Sequence, residues 1–309
     1  MNNVTDAPHL NQSQIPVKVL LCVLPCLLCF YVNGVMLFVL VKKPALQESS
    51  RYILFGHLLL TDSLQLLVTM LMYIFGLTQV KMISYVCIVI TMFAATIVQI
   101  SPLNLAVMSM ERYVAVCYPL RHADIANIRR TKVSIAIIWI VGSLDSVIQL
   151  LLFFILENSR FTVPKYCSRN RVFRLQIYLT LNTAFTILYF VSVTVIIIYT
   201  YIAIMITVKS ASSNDCNATK AHRTVLLHLL QLCLYLTSTL FNMILSYSTW
   251  TKTTAMANNF HYALFIILIV FPKCLSPLIY GVRDQTFKHF FKRYFTLDIR
   301  VTAQPSLKS

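Results

Sequence analysis

Glu111 and Arg112 stand side by side in Met110-Glu111-Arg112-Tyr113-Val114-Ala115-Val116-Cys117-Tyr118-Pro119-Leu120-Arg121-His122, where the third long apolar run ends. An acid beside an arginine is a ready ion pair. A charge at the centre of a bilayer costs about 3 kcal/mol, and ionisable groups near that depth generally mark a working interior. On the residues alone two readings stand: a functional pair, or interface charges that snorkel to lipid headgroups. Asp62 and Lys273 raise the same question inside other apolar runs. Each lies about nine residues from the edge of its run, roughly 14 Å deep at 1.5 Å per residue. Asn33 falls at nearly the same level, and Lys273, Ser276 and Tyr280 follow a three-then-four spacing that sets them on one helix face. An Asp62–Lys273 ion pair assisted by Asn33 and Ser276 is therefore expected, the alternative being a Lys273 that snorkels away. Asp145 reads as a buried hydrogen-bonded acid or as a ligand counter-ion. No nucleophile motif and no metal-spaced His, Cys, Asp or Glu cluster is present, so neither an enzyme nor a cofactor is expected.

The elements that must position these groups are long and apolar. The chain has 309 residues, of which 58% are hydrophobic and 12% charged, with a mean hydropathy of +0.73. Soluble domains carry about 25% charged residues, so most of this chain belongs in lipid. Seven runs of spanning length cover approximately 17–41, 53–77, 84–117, 133–156, 175–207, 222–248 and 260–282. Without water, backbone hydrogen bonding forces such runs to be helices. The expected fold is an all-α membrane protein, a seven-transmembrane helix bundle with a short amphipathic C-terminal helix. Its single domain divides into a tail over 1–16, the bundle over 17–282 and a helix and tail over 283–309. The polar stretch before the first run lacks the marks of a removable signal peptide. Pro272 and Pro277 each remove a backbone donor from the seventh span and make a kink there an expectation. Phe287, Phe290, Phe291 and Tyr294 form an apolar stripe beside Lys288, His289, Lys292 and Arg293, the pattern of a helix lying on a membrane surface.

A net charge of +16 could suit nucleic acid, but the basic residues sit in short loops, where they set topology. With the N-terminus outside, 17 of the 26 lysines and arginines fall on the inner side. That bias predicts a multi-pass plasma-membrane protein with an extracellular N-terminus, lipid as its surroundings and no nucleic-acid partner. The sequons at Asn3 and Asn11 sit on the outer tail, where glycosylation is expected. A channel, transporter or membrane enzyme would need conducting polar faces, internal repeats or clustered ligands. The sequence shows none of these and has only five glycines.

The run from Met110 to His122 resembles the signature of odorant receptors, a family of rhodopsin-like G protein-coupled receptors, and Met-Glu-Arg-Tyr is similar to fish members. Lys220-Ala221-x-x-Thr224 with His228-Leu229 resembles the family's sixth-helix run, and Ser276-Pro277-Leu278-Ile279-Tyr280 its seventh. The resemblance extends from Asn33 to the amphipathic tail. It implies that Glu111 and Arg112 hold a resting state, with Tyr113 beside them, and that Tyr201 and Tyr280 meet the freed arginine in the active state. It places Lys220 and Arg223 at a G protein surface. His228 is either a gating contact or a packing residue. A Cys87–Cys167 cross-link is implied too, and closing a loop of about 80 residues contributes on the order of 4 kcal/mol. Cys22, Cys26, Cys29, Cys233 and Cys274 read as small buried hydrophobes within the spans. Most rhodopsin-like receptors carry Asn-Pro where Ser276-Pro277 stands, and the matching aspartate commonly binds sodium. Here Lys273 would act as a built-in cation.

The family places the ligand among the outer halves of the third, fifth, sixth and seventh helices. The matching positions are Thr91, Ala95, Val98, Gln99, Asn182, Phe185, Tyr189, Thr239 and Met243. They are mostly apolar or hydroxylated, suiting a small organic odorant held by few polar contacts, and plain packing is the competing reading of each. Arg160, Lys165, Arg169, Arg171 and Arg174 oppose Glu157 in the second outer loop. They form either a vestibule for anionic solutes or a solvated loop. The expected function is an odorant receptor of olfactory sensory neurons coupled to the stimulatory olfactory G protein; a rhodopsin-like receptor for a non-odorant small ligand is the alternative. An amine ligand is disfavoured because Thr91-Met92-Phe93-Ala94-Ala95 offers no acid.

Overall fold

A computed structural model describes residues 15–78, 81–156, 165–167, 173, 175–211, 230, 233–234, 236–237, 240, 266–275 and 277. Five helices within them are long and apolar enough to cross a membrane. They are α1 (Ile15–Lys42), α3 (Ser50–Thr78), α4 (Ser84–Cys117), α6 (Ile128–Leu156) and α7 (Gln176–Ala211), the first five spans in chain order. The sixth span is described at isolated helical positions, and the seventh from a π turn at Ile266–Val270 into helix. That turn precedes Pro272, whose missing N–H leaves Leu268, four residues back, without its usual donor. A widened turn accommodates such a gap.

The two connections described at the Arg112 end, from α1 to α3 and from α4 to α6, are short and carry side-chain caps. The four-residue α2 (Pro44–Gln47) follows α1 directly. Gln47 there donates Nε2 to the Val41 carbonyl at 2.9 Å, satisfying an orphan at the end of α1. After α4, Pro119–Arg121 forms a 3-10 turn and α5 (His122–Ile125) a single helical turn. Asn127 then starts α6, its Oδ1 accepting the Arg130 N–H at 2.9 Å. This cap explains why α6 begins at Ile128, ahead of the apolar run expected from 133. The polar stretch Arg129–Lys132 is helix, with Arg129, Arg130 and Lys132 exposed.

At the opposite end, Cys87 at the start of α4 is bonded to Cys167, with Cα atoms 5.5 Å apart. Strands β1 (Lys81–Met82) and β2 (Lys165–Tyr166) pair antiparallel beside it. Phe173 packs with Tyr178, Phe153, Ile88 and Met92.

Helix α4 is central, packing against α3, α6 and α7, while α1 packs on α3. The core at the Arg112 half joins Met36 and Val39 of α1, Phe55, Leu58 and Leu59 of α3, Leu105 and Met108 of α4, and Val193 and Ile197 of α7. Polar stitches specify which helices meet. Asn104 donates to the Leu54 carbonyl at 3.1 Å, Trp139 to the His57 ring at 3.0 Å, and Thr96 to Ser146 at 2.9 Å. Gly142 of α6 sits so close to α4 that a Cβ there would lie 3.2 Å from Ile100 Cγ1. Small residues permit such approaches between membrane helices.

Candidate functional site: two ionic centres along one helix

Near the middle of the bundle, Lys273 Nζ lies 2.8 Å from Asp62 Oδ1 and 2.6 Å from Gln65 Oε1. Asp62 is wholly buried and Lys273 is 3% exposed. Gln65 follows Asp62 by three residues on α3, so both face the same way. From α4, the Ser101 hydroxyl donates to Asp62 Oδ1 at 2.9 Å and reaches Gln65 Oε1 at 3.5 Å. Three elements, α3, α4 and the seventh span, thus meet at one ion pair. Both partner oxygens are acceptors, which is what a buried cation needs to remain charged.

Two members of this centre were absent from the sequence reading, and one expected member is elsewhere. Gln65 and Ser101 complete the shell. Asn33 does not join it: its Nδ2 donates to Ser63 Oγ at 3.0 Å, tying α1 to α3. Asn33 shares the depth of Asp62 but points to another side of α3, and depth alone does not fix direction around a helix. Ser276 and Tyr280 lie outside the described residues. Next to Lys273, Cys274 is bridged to Cys29 of α1, with Cα atoms 5.0 Å apart. Cys29 is fully buried in an apolar cluster with Cys26, Leu66 and Val270, and Cys274 packs against that cluster, so both sit in apolar surroundings and are neighbours as well. Packing of the seventh span on α1 makes neighbours of residues 245 positions apart.

At the end of α4, Arg112 Nε lies 3.7 Å from Glu111 Oε2. The other carboxylate oxygen, Oε1, meets His122 Nε2 at 3.1 Å. His122 belongs to the recognised motif, yet its spacing from Glu111 gave no sign of contact. The 3-10 turn at Pro119–Arg121 folds the chain back and delivers the ring. One guanidinium nitrogen of Arg112 is buried with no hydrogen-bond partner among the described residues. Arg112 is thus held by one carboxylate and keeps donor capacity for another acceptor. Tyr113 packs its ring against Tyr118 and Tyr199, both at 5.8 Å between centroids. No hydrogen bond links Tyr201 to Arg112 among the described residues. Lys220, Arg223 and His228 lie outside them.

The expected ligand positions divide when their polar atoms are traced. Thr91 returns its hydroxyl to the Cys87 carbonyl at 2.7 Å, and Tyr189 donates to the Val141 carbonyl of α6 at 2.7 Å. Those two groups serve the scaffold. Gln99 reaches across to Thr186 of α7 at 3.4 Å, a long and replaceable bond. Ala95, Val98, Asn182 and Phe185 are partly exposed on α4 and α7, and Phe185 packs on Tyr189 at 6.0 Å. Thr239 and Met243 are outside the described residues, as are Asn3, Asn11, the amphipathic tail and the four loop arginines. Asp145 is buried and accepts a hydrogen bond from Gln149 one turn on. It is a satisfied acid within α6.

Comparisons with known proteins agree with this architecture. Residues 32–280 match the family model of the 7 transmembrane receptor (rhodopsin family). The chain is similar to odorant receptor 131-2 of Danio rerio, 32% identical with all of this chain and 93% of the relative covered. It is also similar to olfactory receptor 4N4C of Homo sapiens, 27% identical over 92% of this chain and 90% of the relative. The olfactory receptor-like protein OLF4 of Canis lupus familiaris is 28% identical over 71% of each chain. With five described spans, a buried ionic centre joining the second, third and seventh spans of the chain, and a match over most of its length, the chain belongs to the rhodopsin family of seven-transmembrane receptors, among its odorant receptors.

Proposed function

We propose that this receptor binds a small, waterborne odorant in the half of the bundle nearer Cys87 and activates a stimulatory, olfactory-type G protein at the Arg112 end. The observation that carries this reading is the similarity to odorant receptor 131-2 along the whole chain. Members of the family are receptors, not enzymes, so the output is a change of shape. The Arg112 end is the cytoplasmic one, because 17 of the 26 basic residues belong there when the N-terminus is outside. That topology puts Asn3 and Asn11 where glycosylation occurs, in the plasma membrane of an olfactory sensory neuron.

The two ionic centres supply differential contacts, without which a ligand cannot bias a switch. Glu111 restrains Arg112 at rest, and Tyr201 and Tyr280 receive the guanidinium once the sixth span moves, with Lys220, Arg223 and His228 at the moving face. Lys273 serves as an internal cation: its ammonium already occupies Asp62 and Gln65, leaving sodium no comparable acceptor set. The basic second outer loop favours anionic odorants by electrostatic focusing.

Cells expressing the chain with the olfactory G protein, screened for cyclic AMP with amino acids, bile salts and other waterborne odorants, test the reading. Ligand-dependent cyclic AMP supports it. A response only to non-odorant solutes selects the second reading of a receptor for another small ligand, and ion currents independent of G protein contradict both.

A further inference from the structure

A groove of about 340 Å³ opens on the perimeter of the bundle at the Arg112 end, between α4 and α6. Its floor is Leu54, Ala106 and Ile138, all nearly buried, with Ile196 of α7 closing one side. Its lip is exposed: Met110 is 49% and Ile137 52% accessible. Along α6 the lining runs from Arg130 to Val141, about 16 Å of helix at 1.5 Å per residue. One leaflet of a hydrocarbon core is about half of 30 Å. The groove therefore extends from headgroup level to near mid-membrane.

The polar atoms of its walls are already satisfied. Thr131 donates to the Asn127 carbonyl and Ser134 to the Arg130 carbonyl, both at 3.0 Å. Glu111, which also lines the groove, is engaged by Arg112 and His122. The surface offered is effectively hydrocarbon, which suits a flexible chain and disfavours a polar solute. Arg130 lines the mouth, with exposed Arg129 and Lys132 on the same helix end and Arg121 on the adjoining turn. Asp124 is the one exposed acid on the adjoining α5. A basic mouth over an apolar slot complements an anionic head on an apolar tail.

We propose that this groove binds one acyl chain of an anionic phospholipid of the cytoplasmic leaflet, with the head held at Arg130. The leaflet assignment rests on the topology given under the proposed function, whereas the groove and its charge do not. Because Glu111 lines the groove beside the Arg112 pair, the bound lipid touches the element that carries the switch.

The test uses the full receptor in nanodiscs containing a photoactivatable phosphatidylserine, with a matched phosphatidylcholine probe in a second preparation. The expected result is serine-lipid cross-linking concentrated in peptides 103–114 and 130–141. Filling the slot from its lip, by Ser134→Trp or Ile137→Trp, removes those cross-links in receptor that retains its Cys87–Cys167 bridge and its thermal transition. Arg130→Gln lowers the preference for the anionic lipid about fivefold, the effect of one basic residue at a charged leaflet. Cross-linking spread evenly over all spans, or unchanged in both groove-filling variants, overturns the site. Equal labelling by phosphatidylcholine overturns the anionic head. Neither failure affects the receptor reading, which the cyclic AMP screen tests separately.

Discussion

Replacing Lys273 by methionine should be among the most damaging single changes in the bundle, and its partner change should rescue it in part. Nζ and Asp62 Oδ1 are 2.8 Å apart with both side chains buried. At an effective dielectric of about 20 their gross attraction is about 6 kcal/mol, most of it offset by desolvation. Breaking such a pair on one side costs about 3–5 kcal/mol, because the remaining charge stays buried without compensation. Native stabilities are only about 5–15 kcal/mol, so Lys273→Met should deplete the folded receptor severely. Asp62→Asn should do the same, leaving Lys273 with neutral Gln65 and Ser101. The double variant has no uncompensated charge, and contacting pairs couple by about 0.5–3 kcal/mol. The assay is a double-mutant cycle on solubilised receptor, read as thermal unfolding alongside surface labelling of an N-terminal tag. The expected outcome is a double variant more stable than either single one. Losses that add to within about 0.5 kcal/mol would refute the claim that the two charges compensate each other.

Three other outcomes follow from the geometry. Cys87→Ser or Cys167→Ser opens a loop of 80 residues, worth on the order of 4 kcal/mol; surface labelling should fall sharply for each, and the double variant should be no worse than either. Tyr189→Phe should lower thermal stability by about 1 kcal/mol without shifting agonist potency, since its hydroxyl serves the Val141 carbonyl; Gln99→Leu should shift potency while stability holds. Asn127→Ala removes the cap of α6 and should cost about 1 kcal/mol, measured by thermal unfolding, with Asn127→Asp restoring most of it.

Charges were the legible part of the sequence, because a charge inside an apolar run cannot be hidden. Asp62, Glu111, Arg112 and Lys273 stand out for that reason, and equal depth was enough to pair Asp62 with Lys273. Uncharged polar residues carry no such signal. Gln65, Ser101 and Asn33 are each ordinary in a spanning helix, and only the rotation of one helix against another decides which of them reaches Lys273. Rotation is set by contacts such as Gly142 against Ile100, which no periodicity displays. The same blindness hid the Cys29–Cys274 neighbourhood and the bond by which the Tyr189 hydroxyl serves α6. His122 was written in plain sight within the motif, but a 3-10 turn had to fold it back before it could touch Glu111. The apolar run from about 133 starts later than α6 at Ile128 for a different reason: apolarity marks where lipid begins, whereas a cap such as Asn127 marks where helix begins.

The central claim is that an odorant, acting through Arg112, changes the nucleotide state of a G protein. The direct measurement is agonist-dependent GTP loading of the stimulatory olfactory-type G protein in membranes containing the receptor or Arg112→Ala at matched surface levels. The expected result is loading that rises with agonist in the wild-type receptor and is abolished in the variant. Loading that survives Arg112→Ala, or an agonist response with no nucleotide exchange, would contradict the account.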